Sequence, residues 1–190
     1  MNIEVTALSK SFGSTQVLKD FNGVFKDGTI TCIMGSSGCG KTTLLNILMG
    51  LMKADKGTIK GIENKDISVV FQENRLCEGF TSLDNILLVC DKGIDREVIE
   101  DNFNRVGLGD VINKPVSKLS GGMKRRVAIV RAILVNSEIL IMDEPFKGLD
   151  YETKINVIDY IRHNVLGKTV IITTHNKDEV EMLKATLMVM

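Results

Sequence analysis

Tryptophan is absent, and the 190-residue chain has only two prolines, two histidines and two tyrosines. Four cysteines stand at Cys32, Cys39, Cys77 and Cys90, with no C-x-x-C pair. With so few histidines this argues against a zinc site, and the pattern suits a reduced protein better than a disulfide scaffold. Charge of either sign is not in excess: 24 Lys+Arg balance 24 Asp+Glu. A dedicated nucleic-acid binder usually needs a basic surplus, so no nucleic-acid partner is expected. No apolar run approaches the roughly 20 residues that span a bilayer. The start, Met1 to Thr6, lacks a positive segment followed by an apolar one, so no signal peptide is read there. Work at a membrane would then need docking through a partner.

What is present is an ordinary globular balance, 44% hydrophobic and 25% charged, in a length that suits one domain, 1–190. There are no repeats. Ile3, Val5 and Ala7 alternate with polar neighbours and predict a strand over 2–7; a second is expected over 16–25 after a turn at Gly13-Ser14. Residues 29–34 predict a buried strand, and Leu44, Leu45, Ile47, Leu48 and Leu51 a helix. Further strands are expected at 67–71, 138–142, 168–173 and 186–190. Helices are expected near 82–90, 95–106, 120–135, 151–165 and 176–184. Buried strands interleaved with helices imply an α/β fold with a mainly parallel sheet, which collects ligands at the carboxyl ends of its strands.

Gly35-Ser36-Ser37-Gly38-Cys39-Gly40-Lys41-Thr42 matches G-x-x-x-x-G-K-S/T at every fixed position, between an expected strand and an expected helix. Glycines let backbone N–H groups turn inward around phosphates, and the helix start adds the positive end of its dipole. Lys41 is the candidate for the β- and γ-phosphates, Thr42 for Mg²⁺, with Thr43 beside them. Cys39 is read as a small loop filler, or else as a thiol that ATP would shield from alkylation. The apolar run Ile139–Met142 ends in Asp143-Glu144. Alone this could be a solvated strand end; coupled to the phosphate loop, Asp143 is a metal-side ligand and Glu144 a candidate base.

Leu119-Ser120-Gly121-Gly122-Met123, at the start of a helix, resembles the signature sequence of ATP-binding cassette (ABC) proteins. The resemblance extends from Phe12 to His175. It implies a P-loop NTPase fold with an N-terminal antiparallel β part and a helical subdomain over roughly 74–135. It implies ATP and Mg²⁺ as cofactors, Phe12 stacking on adenine, Gln72 sensing Mg²⁺ and the attacking water, Glu144 as general base and His175 on the γ-phosphate. Ser120, Gly121 and Gly122 would hold the ATP of a second cassette, with Asp150 nearby. Met123 stands where the family most often has glutamine, and a thioether cannot replace that residue's hydrogen bond to ribose.

Simpler readings stand beside these. Phe12 could be a turn or core residue, His175 structural, and Asp150 the cap of the helix after it. Lys124-Arg125-Arg126 reads as a solvated helix face, with a secondary role at a dimer interface.

Residues 72–86 look similar to nitrate, sulfonate and taurine importer cassettes. That implies a motor for a small-solute importer, on the inner face of the membrane through permease subunits, with an external solute-binding protein and a second cassette, as a homodimer. Leu76, Cys77 and Phe80 are then candidate contacts for the permease, or else part of the subdomain's own core. The alternatives are a soluble cassette acting on ribosome or nucleic acid, or a GTPase. The last needs N-K-x-D, which Asn176-Lys177-Asp178-Glu179 does not complete.

Overall fold

Two hydrophobic patterns build two sheets. The computed structural model describes residues 1–90 and 93–190, so positions 91 and 92, inside the expected helical subdomain, lie outside the described residues. Strands β1 (Ile3–Phe12) and β2 (Thr15–Phe25) form an antiparallel hairpin, and β4 (Lys56–Lys60) pairs antiparallel on the other side of β1. Strand β1 runs five residues past its expected end. Its alternation breaks at bulges between Val5 and Leu8, where Ala7 takes φ 48°, so the period-two pattern hides the continuation. Strand β4 was not anticipated. Its one large apolar residue, Ile59, pairs with Val5, and a Cβ on Gly57 would lie 2.6 Å from the Thr6 and Ala7 carbonyl oxygens. Only glycine lets the two backbones approach so closely.

The second sheet contains β3 (Ile30–Met34), β5 (Ile67–Val70), β6 (Ile139–Asp143), β7 (Thr169–Thr174) and β8 (Thr186–Val189). All pairs are parallel, in the order β5-β6-β7-β3-β8. Strands β6 and β7 are buried along their whole length. Their alternate residues feed two cores. Ile139, Ile141 and Ile171 join the antiparallel sheet and α1 (Lys41–Leu48) on one face. Leu140, Met142, Val170 and Ile172 meet helices on the other, where α4 (Gly121–Leu134) and α5 (Tyr151–Asn164) supply Val127, Ile129, Val157 and Ile161.

Between β5 and β6 lie α2 (Ser82–Leu87), α3 (Arg96–Arg105), two 3-10 turns and α4. Thr81 and Asp84 form a reciprocal capping box at α2. Helix α1 ends at Leu48, short of Leu51, which is exposed. Helix α6 (Lys177–Met182) links β7 to β8. Among the described residues, no helix is long and apolar enough to cross a membrane.

One expectation is corrected here. Lys124-Arg125-Arg126 is not a solvated face. Lys124 pairs with Glu78, and Arg126 donates to the carbonyls of Val106 and Gly107. Arg125 is only 3% exposed, turned beneath the loop that follows β6. Charged residues with i, i+1, i+2 spacing point in different directions on a helix, so a run of three cannot share one face.

Candidate active site

Because the second sheet is parallel throughout, β3, β5, β6 and β7 all release their chains at one edge. Met34 pairs with Thr174 and Asp143 with Thr173, so the loops after these strands start side by side. The loop Gly35–Gly40 follows β3 and enters α1. Gly40 forms the turn at φ 106°, where a Cβ would sit 2.8 Å from Leu18. Lys41 is 6% exposed, and its ammonium donates across the loop to Gly35 O (2.9 Å) and Ser36 O (3.0 Å). Cys39 Sγ is 4.0 Å from that nitrogen. The thiol packs behind Gly35, where a Cβ would come within 2.6 Å of it, in keeping with a filler role.

In front of the loop opens a cavity of about 680 Å³. It is lined by Ser37, Gly38, Gly40, Lys41, Thr42 and Thr43 from the loop and α1, and by Gln72, Glu144 and His175 from the loops after β5, β6 and β7. Thr42 Oγ1 donates to Asp143 Oδ2 at 2.9 Å. Asp143 is buried, and its other oxygen accepts from Thr173, whose hydroxyl accepts in turn from Glu144 N–H at 2.9 Å. Both carboxylate oxygens of Glu144 are engaged: Oε1 lies 2.6 Å from His175 Nε2, and Oε2 is 3.1 Å from Lys147 Nζ. Burial alone raises the Glu144 pKa, but hydrogen bonds from Lys147 and His175 outweigh it, holding the carboxyl below its ordinary range.

The other sequence candidates lie elsewhere. Phe12 stands at the end of β1, 48% exposed, with Lys10 Nζ 5.8 Å from its ring centre. Ser120 caps α4 by accepting from Met123 N–H at 3.3 Å. A Cβ on Gly122 would meet Leu149 and Gly148 of the same chain at ordinary contact distance, and Gly121 is open. Asp150 caps α5, accepting from Thr153 N–H at 2.9 Å. None of Phe12, Ser120, Gly121, Gly122 or Asp150 lines the cavity. Leu76 packs into the helical core, whereas Cys77 and Phe80 are exposed.

Sequence reasoning missed several groups in or under the cavity. Lys147 reaches Glu144 by three residues of loop. Glu179, nearly buried, accepts from Thr174 and pairs with Lys154 Nζ at 2.9 Å. Thr173 and Arg125 hold the backbone around Glu144. None of these belongs to a spaced motif; only the resemblance of the whole Asp143–Asp150 loop could have singled out Lys147.

A parallel sheet with a lysine-spanned phosphate loop, a buried aspartate and a glutamate–histidine pair at one edge is the architecture of a nucleotide triphosphatase. Comparison with known proteins narrows the class. Residues 18–147 match the family model for the ABC transporter. The chain is 37% identical to the aliphatic sulfonates import ATP-binding protein SsuB 2 of Pseudomonas syringae pv. tomato, over 95% of its own length and 78% of the relative's. It is 35% identical to the bicarbonate transport ATP-binding protein CmpD of Synechococcus elongatus, covering 94% and 69%. It is 32% identical to the nitrate transport protein NasD of Klebsiella oxytoca, covering 99% and 79%. The dimeric bacterial ABC transporter cassette MJ0796 superposes with a TM-score of 0.83 at 27% identity, covering 95% of this chain and 90% of that one.

This chain belongs to the ABC transporter family, as an ATP-binding, ATP-hydrolysing subunit. The expected α/β cassette fold and the likeness to nitrate and sulfonate cassettes are both borne out. The ribosome, nucleic-acid and GTPase readings find no support in these relatives.

Proposed function

We propose that this chain is the motor subunit of a small-solute importer, hydrolysing ATP on the inner face of the cell membrane where permease subunits hold it. The observation that carries the reading is the convergence of Lys41, Thr42, Glu144 and His175 on one cavity at the carboxyl edge of the sheet, with Asp143 behind them on Thr42. The relative named for aliphatic sulfonates import supports this direction.

The triphosphate of ATP lies along the loop 35–42, where Lys41 exchanges its two carbonyl contacts for phosphate oxygens. An ammonium already aimed across the loop needs little reorganisation to do so. Phe12 stacks on the adenine. Thr42 and Asp143 present hard oxygen donors in contact with one another, and no cluster of three or more His, Cys, Asp or Glu suited to a metal occurs among the described residues. That small set fits Mg²⁺, which is normally held by one or two protein oxygens together with water and phosphate. Thr42 and Asp143 would hold it, with Gln72 at its edge. Bound there, Mg²⁺ would neutralise charge on the phosphate oxygens.

Glu144 stays ionised, as a base must, because Lys147 and His175 stabilise the carboxylate. It takes a proton from the attacking water as that water moves onto the γ-phosphate. His175, freed from Glu144 Oε1, turns its Nε2 to the phosphate. Ser120, Gly121 and Gly122 lie outside this cavity, so one chain holds only half of the expected set. A second copy, docked head-to-tail, brings its signature helix over the ATP, with Asp150 beside the seam. The helical stretch 74–135 serves as the subdomain facing the permease, through Cys77 and Phe80. An external solute-binding protein delivers the solute.

The test is tagged Glu144→Gln protein expressed in its native cells, with membranes gently solubilised in ATP and Mg²⁺. Expected are an ATP-bound dimer with little turnover and a co-purifying multi-span permease. Ribosomal or DNA-repair proteins without a membrane subunit would end the importer reading, and wild-type turnover would end the assignment of Glu144 as base.

A further inference from the structure

Glu144 is one of six described non-glycine residues with positive φ, at 46°. An L-residue rarely takes this left-handed conformation unless its surroundings impose it. Two side chains impose it here. Thr173, from the neighbouring strand, accepts the Glu144 N–H. Arg125, one and a half turns into α4, donates to three consecutive carbonyls of the loop: Asp143 O at 3.0 Å, Glu144 O at 2.7 Å and Pro145 O at 3.1 Å. Its remaining Nη1 donates to Phe71 O and, at 3.3 Å, to Asn74 Oδ1, on either side of Gln72. One guanidinium thus ties the loop bearing Glu144 to the loop bearing Gln72.

We propose that Arg125, with Thr173, is a positioning residue for hydrolysis: the pair locks Glu144 in its left-handed pose and fixes it relative to Gln72. The inference rests on the reading of Glu144 as base.

The chemistry of the two groups suits the task. A planar guanidinium presents five N–H donors in a rigid fork, which matches carbonyls spread over two loops. Lysine cannot reach them all from one ammonium. Backbone carbonyls, unlike carboxylates, do not neutralise the cation, and the nearby Asp143 and Glu144 carboxylates offset part of the cost of its burial. Because Arg125 is carried by α4, which Ser120 caps and Gly121 and Gly122 open, rotation of that helix would move the Asp143–Pro145 backbone with it. Thr173 acts at the opposite end, since it also donates to Asp143 Oδ1. Neither side chain lines the nucleotide cavity. They act through Glu144, not on ATP.

The experiment compares Arg125→Gln, Arg125→Lys and Thr173→Val, each alone and combined with Glu144→Gln. The full chain is used, with a fluorescent ATP analogue for affinity and single-turnover hydrolysis for the chemical step. Misplacing a catalytic group by about 1 Å can lower a rate about 10²-fold. Expected for Arg125→Gln is a loss of kcat of about 10- to 100-fold, with nucleotide affinity within about twofold of wild type and a smaller loss for Arg125→Lys. In the Glu144→Gln background the same substitutions should cost no further turnover, because the group they position is gone. Unchanged kcat, parallel loss of affinity and rate, or an additive loss in that background would each overturn the proposal. Should Arg125→Gln fail to fold, Thr173→Val, which keeps the side-chain shape, decides by the same criteria. Wild-type turnover in Glu144→Gln alone would instead overturn the base assignment.

Discussion

Thr42 and Asp143, separated by 101 positions in the chain, meet through a 2.9 Å hydrogen bond beside the cavity that Thr42 lines. Thr42 opens the helix after β3 and Asp143 ends β6, with β7 lying between the two strands in the sheet. The bond spans that gap and holds together the two oxygens proposed to bind Mg²⁺. Thr42→Val is expected to raise the Mg²⁺ concentration needed for half-maximal ATPase activity by about 10- to 100-fold, as suits the loss of a contact to a charged group. A Mg²⁺ titration of the ATPase rate checks this.

Phe12 is half exposed at the tip of β1, and its ring has no place in either hydrophobic core. Its use is therefore read from ligand binding and not from stability. Stacking a base on an aromatic ring contributes about 1–3 kcal/mol. Phe12→Ala should weaken ATP binding by about 10-fold while leaving the nucleotide-free melting temperature unchanged. A fluorescent-nucleotide titration beside a melting curve separates the two effects.

Ser120 caps its helix, is exposed and does not line its own chain's cavity. Ser120→Arg should leave monomer ATP affinity near wild type but abolish ATP-dependent dimerisation and hydrolysis. Helix stability should fall by only about 1 kcal/mol from the lost cap. Sedimentation of the variant in the Glu144→Gln background, with and without ATP, reads the dimer directly.

Tyr160 offers a test remote from the site. Its hydroxyl, on α5, donates to Asn102 Oδ1 of α3 at 2.7 Å, and the ring is buried. Burial also pushes its pKa well up, so it remains a neutral donor throughout the working range. Tyr160→Phe strands a buried amide oxygen and should lower unfolding stability by about 1–3 kcal/mol. Urea denaturation would show this as a lower midpoint at unchanged slope, and kcat should not move.

How much of this was legible beforehand depended on whether a residue's partners are near it in sequence. The loop Gly35–Thr42 could be read because its proposed function lies in a contiguous stretch of backbone. The acids at Asp143-Glu144 could be read because an apolar strand must end somewhere. Strand β4 could not, since Lys56–Lys60 has too little apolar content to predict a strand and becomes one only by pairing with β1. Arg125 was misread for the same reason: its partners are carbonyls at 71 and 143–145, invisible to any local pattern. Lys147 and Thr173 carry no motif either, and their significance appears only once β6 and β7 lie side by side.

The sequence by itself determined the α/β class, the family, and the loop and carboxylates proposed to serve ATP, because periodicity and short motifs are written in consecutive residues. The tertiary structure decided which groups meet. Parallel pairing of β3, β6 and β7 brought Lys41, Asp143, Glu144 and His175 to one edge, and burial of Arg125 fixed the backbone beneath them. It also set Ser120 outside the cavity, at the exposed start of α4, while the buried arginine of the same helix grips the loop of Glu144. Such relations depend on directions in space, and distances across a hundred residues of chain are not encoded in any one stretch of it.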